Sequence, residues 1–78
     1  MTLIEIGRAE REQEVQAGLE RWKARHPQAA ALLEPADVLV DRMRGSSSLW
    51  YRIRVNLVHV PAKLRPRQEA LDPDNDPQ

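Results

Sequence analysis

The chain has 78 residues, balances 12 basic against 12 acidic side chains and contains no cysteine. That length admits one domain with a thin core, because a chain this short buries only a little over half of its unfolded surface. The missing cysteines exclude a disulfide framework, a thiolate metal site and a cysteine nucleophile, leaving a partner chain as the natural stabiliser, so the protein is not expected as a free monomer.

At the N-terminus, Thr2 and Glu5 match a capping box, while Leu3 to Ile6 can also be read as a short strand ended by Gly7; the cap pattern favours an early helix start. The segment turns polar by Arg8, too soon for the apolar region of a signal peptide. No apolar run approaches the roughly 20 residues that span a bilayer, so a cytoplasmic protein without membrane contact is expected.

From Arg8 to Arg25 strong helix formers dominate and proline is absent, which predicts a long helix. Its apolar stripe is narrow, running through Val15, Leu19 and Trp22. Its interspersed Glu and Arg or Lys side chains read as a solvated face with local pairs such as Glu20 with Lys23, not as a catalytic carboxylate pair. Gly18 is a modest defect that would let another helix approach closely. His26-Pro27 ends this helix, and Pro27 opens a short second one through Leu33, closed by Pro35.

Val38 to Val40 are apolar and β-rich, Gly45 to Ser48 form a turn, and residues 49–60 make the clearest strand, together predicting an antiparallel β-hairpin. A helix from Pro35 to Arg44, with proline at its first position and Gly45 past its end, is the competing pattern. The two-residue period puts Tyr51, Ile53, Val55 and Leu57 on a core face, and Trp50, Arg52, Arg54 and Asn56 on the other. Val58 and Val60 would make the second face apolar too, so that end of the strand calls for cover on both sides. The expected fold is therefore α+β, with a long N-terminal helix, a short second helix and an antiparallel hairpin in one domain of residues 1–60. Residues 61–78 follow as an extended Pro/Asp-rich C-terminal tail.

Charge is segregated along the chain. Residues 42–67 carry Arg42, Arg44, Arg52, Arg54, Lys63, Arg65 and Arg67 and no Asp or Glu, a segment of +7, while residues 1–41 sum to −3 and residues 68–78 to −4. With Arg42 and Arg44 facing the same way as Arg52 and Arg54, four guanidinium groups and the Trp50 indole would share one surface. Lys63, Arg65 and Arg67 would extend the track. Arginine forks suit phosphate oxygens and an indole can stack a base, which points to DNA or RNA. Asp72, Asp74 and Asp76 could fold back and screen that surface. The plainer reading is a solvated sheet face whose charges discourage edge aggregation. Because arginine and tryptophan also anchor protein interfaces, the alternative function is a non-catalytic accessory subunit of a protein assembly, docking by strand pairing and tail wrapping without nucleic acid.

Catalytic chemistry is not indicated. His26 and His59 lack partners at metal-ligand spacing, and Ser46 to Ser48 have no nucleophile elbow around them. Gly7, Gly18 and Gly45 are isolated, so there is no phosphate-binding loop. Asp72 to Pro77 resemble half a calcium loop without its glycine or its final glutamate. Neither enzymatic activity, a cofactor nor a metal is expected.

Overall fold

The computed structural model describes residues 2–71; the expectations placed on Asp72, Asp74 and Asp76 lie outside them. In chain order the elements are β1 (Leu3–Ala9), α1 (Glu12–Arg25), α2 (Pro27–Ala31), a 3-10 turn (Pro35–Asp37), β2 (Val38–Arg44), β3 (Leu49–Asn56) and a second 3-10 turn (Ala62–Leu64). The class is α+β, with a three-stranded sheet in the order β1-β3-β2 and β3 antiparallel to both neighbours. Strands β1 and β2 thus run parallel with β3 inserted between them, which makes β1–α1–β2 a split βαβ unit.

The core forms where the stripe of α1 meets one face of β1 and β3. Val15, Leu19 and Trp22 join Ile4, Ala9, Ile53, Val55 and Leu57, with Ala29 of α2 and Val60 closing the cluster. Trp22, Ile53, Val55 and Leu57 are at most 1% exposed, and burying a side chain of that size contributes about 1.5–3 kcal/mol. Helix α1 carries Glu12 and Glu14 in its first turn and Lys23 and Arg25 in its last, so its side-chain charges complement the helix dipole.

The N-terminal expectation is corrected. Residues 3–9 are a strand, not the first turns of a helix, because pairing with β3 claims them: Ile4 lies opposite Val55, Arg8 opposite Arg52 and Ala9 opposite Tyr51. A bulge between Glu5 and Gly7 inserts Ile6 as an extra residue. Ile4 and Ala9 are five positions apart, so strict alternation would send them to opposite faces. The extra residue resets the phase, and both are buried against the helix. Helix α1 accordingly starts at Glu12 rather than Arg8.

The hairpin is present, closed by Gly45 N–H donating to Ser48 O at 2.8 Å. The competing helix at Pro35 is limited to one turn, in which Glu34 N–H donates to Asp37 Oδ2 at 2.9 Å and Asp37 N–H returns to Glu34 O at 2.9 Å. Strand β3 ends at Asn56, four residues earlier than predicted. The Asn56 side chain accepts from Val58 N–H at 3.0 Å and turns the chain. Val58 is left 52% exposed, while Val60 folds back into the core, so the second face needs no cover at that end.

Beyond the turn, residues 64–69 come back beside β1. Leu64 packs on the core, and Arg65 Nε donates to Val60 O at 2.7 Å. The Gln68 amide accepts from Glu5 N–H at 2.8 Å and donates to Glu5 O at 2.6 Å. Glu69 then meets Arg25 at 2.8 Å and His26 at 3.5 Å. The outer edge of β1 is thereby occupied at Glu5, whereas no strand pairs with the outer edge of β2 among the described residues. Among them, too, no helix is long and apolar enough to cross a membrane.

Gly18 sits inside α1, where a Cβ would meet only the Arg21 guanidinium at 3.6 Å, an ordinary contact. Gly18→Ala should therefore stabilise the fold by about 0.5–1 kcal/mol, the usual cost of glycine in a helix interior. Urea denaturation checks this, and a lower midpoint would mean that the position needs the open space.

Candidate nucleic-acid interface

Among the described residues, the helices cover one face of the sheet and leave the other bare. By register the bare face presents Leu3, Glu5 and Arg8 from β1, Trp50, Arg52, Arg54 and Asn56 from β3, and Leu39, Asp41 and Met43 from β2. All ten are half-buried, as expected of side chains lying beside one another on an uncovered sheet.

The pairing divides the four hairpin arginines and corrects the single surface expected of them. Arg44 lies opposite Leu49 and Arg42 opposite Tyr51, while Asp41 lies opposite Arg52 and Leu39 opposite Arg54. Directly opposed residues share a face, so Arg42 and Arg44 project on the helix side. There α1 does not reach, and they stand exposed beside Val40 and Leu49, themselves 37% and 39% exposed.

Asp41 takes the place foreseen for an arginine. Its Oδ2 accepts from Arg54 Nε at 2.7 Å and from Arg52 Nε at 2.9 Å. The Arg54 guanidinium first, and Arg52 beside it, hold the Asp41 carboxyl below its ordinary value against the opposing effect of partial burial. No acceptor other than Asp41 meets Arg52 or Arg54 among the described residues.

Across β3, Arg8 is bonded to Glu5 of its own strand, and its Cζ lies 5.5 Å from the centroid of the Trp50 ring. Among the described residues the bare face thus carries three arginines against two carboxylates, a net charge of +1. Of the predicted extension, Arg65 is committed to the Val60 carbonyl, and Lys63 and Arg67 stand exposed on the segment leading to Gln68.

Arg8, Glu5 and Asp41 are the participants missing from the sequence reading. The helix pattern takes in Arg8 and Glu5, and Asp41 lies one residue outside the acid-free stretch. Counting back from the Arg44–Leu49 pair across a four-residue loop would have placed Asp41 opposite Arg52.

A second polar cluster sits at the far end of β3. His59 Nδ1 and Asp37 Oδ2 are 2.8 Å apart, with Glu34 Oε2 at 3.7 Å from Nε2. The Glu34 backbone N–H and His59 lower the pKa of Asp37, which is 4% exposed; the same hydrogen bond raises that of His59. Among the described residues, no group of three or more His, Asp or Glu side chains is arranged to hold a metal ion.

These features define a small two-layer α+β domain in which one mixed-charge sheet face is uncovered among the described residues. No family model matches the chain, and no curated protein or solved structure is significantly similar to it.

The His59–Asp37 pair gives a pH signature. His59, raised above 6.5, contributes fully below that value and loses its contribution as pH rises through its folded pKa. Asp37, lowered from 3.8, contributes above that value and loses it as pH falls through its folded pKa. The Tm difference between wild type and His59→Gln should therefore be widest between 3.8 and 6.5 and narrow on both sides. Thermal melts across pH test it; a constant difference would mean that the pair is not coupled to folding.

Proposed function

We propose that this chain is a small non-enzymatic binding protein that takes nucleic-acid phosphates on the bare face of its sheet, within a larger complex. The observation that carries the reading is the Arg52–Arg54 pair on the central strand. Both guanidinium groups meet one Asp41 oxygen through Nε, an arrangement that leaves their Nη groups to a ligand. An immobilised arginine fork loses less entropy when it binds a phosphate bidentately than a free side chain would. Arg8, directly opposite Arg52 and held by Glu5 through Nε and Nη2, adds a third positive charge to this face, and the exposed Arg42 and Arg44 add attraction from the hairpin's other side.

A second reading, docking of a partner strand without nucleic acid, is supported by the unpaired outer edge of β2 and the exposed Val40 and Leu49. Binding measurements separate the two.

Three to five phosphate contacts predict a log–log salt slope of roughly −2 to −5 in fluorescence anisotropy with generic oligonucleotides. Arg52→Ala/Arg54→Ala should flatten that slope by about 1.4–1.8. Asp41→Asn keeps an acceptor for both arginines but removes the opposing charge, and should tighten binding by about two- to five-fold at low salt. Absence of binding at low salt, or a double variant with an unchanged slope, overturns the phosphate reading and makes the β2 edge the surface to pursue by partner capture.

A further inference from the structure

Trp50 is the one large aromatic ring on the bare face. It stands at the hairpin end of β3 with Met43 directly opposite on β2, and Arg52 and Arg54 follow it at intervals of about 6.6 Å along the strand. The other tryptophan, Trp22, is sealed in the core at 1% exposure. The Arg8 guanidinium, a flat cation of roughly the shape a stacked base fragment would present, lies over the Trp50 ring.

Resting on the phosphate reading above, we infer that Trp50 is a stacking platform for a base of single-stranded nucleic acid, and that Arg8 occupies this place in the free protein. For the ring contact alone the magnitudes favour exchange; Arg8 is also held by Glu5 through Nε and Nη2. An exposed cation–π contact is worth about two- to five-fold in an equilibrium, whereas a base stacked on an aromatic side chain is worth about five- to 150-fold. A displaced Arg8 remains on the same face, opposite Arg52, where the phosphates of the strand would pass. The order of groups along β3, one ring followed by two forks, matches a chain in which a splayed base is followed by its own phosphodiester links.

A duplex cannot use the platform, because its bases are already stacked and present only their edges in the grooves. The ligand class is therefore single-stranded DNA or RNA, with duplex bound through phosphates alone.

The test compares wild type, Trp50→Ala, Trp50→Phe and Arg52→Ala/Arg54→Ala against a short single-stranded oligonucleotide and a hairpin duplex of the same composition, with circular dichroism to check folding. Trp50→Ala should weaken single-strand binding at least about five-fold and leave duplex binding unchanged. The single strand should also quench wild-type tryptophan emission but not that of Trp50→Phe, whose remaining indole is Trp22. If the single strand binds without quenching, or Trp50→Ala weakens neither ligand while the arginine variant weakens both, the stacking inference fails and the phosphate reading stands. If neither ligand binds wild type at low salt, both fail together.

Discussion

The double pairing of β3 is the constraint on which the rest of the molecule depends. Hydrogen-bonded to β1 on one edge and β2 on the other, and pressed by α1 on one face only, this strand sorts every neighbouring residue into core or bare surface. Ile53 and Val55, each 0% exposed, fix its phase. Shifting β3 by one residue would bury Arg52 and Arg54 and expose both apolar side chains. The surface arrangement of arginines is thus a by-product of core burial, held in register by the same side chains that stabilise the fold.

Helix α1, the break at His26-Pro27 and the hairpin were legible because each announces itself locally: strong helix formers with one apolar stripe, a proline, and alternating residues on either side of Gly45 to Ser48. Strand β1 was not. Leu3 to Ile6 offer a short strand as one of two local patterns, but the alternation is interrupted at Ile6, and the choice is decided by pairing with a strand almost fifty residues away that extends β1 to Ala9. The end of β3 departs from its local pattern for a related reason. Val58 and Val60 have strand-like side chains, but the Asn56 side chain captures the Val58 amide and the chain turns first.

The candidate face was legible in part. The two-residue period correctly grouped Trp50, Arg52 and Arg54, whereas the partner strand's phase depends on loop length, and one residue decided whether Arg42 or Asp41 stood beside them. The consequence is electrostatic. A segment of +7 in sequence becomes, on the bare face, a lattice of alternating signs in which Asp41 holds two arginines and Glu5 one. Such a face has weak long-range attraction and well-defined local donors, so it favours geometric fit over bulk charge.

The two sheet edges are treated differently, and this bears on how the molecule associates. Gln68 presents a side-chain amide to the backbone of Glu5, imitating a strand for the length of one residue and interrupting that edge as a template. A sheet with two bare edges can be extended without limit, by copy after copy. A sheet with one can be lengthened only once per molecule, so edge-to-edge contact ends in a closed pair and not a fibre.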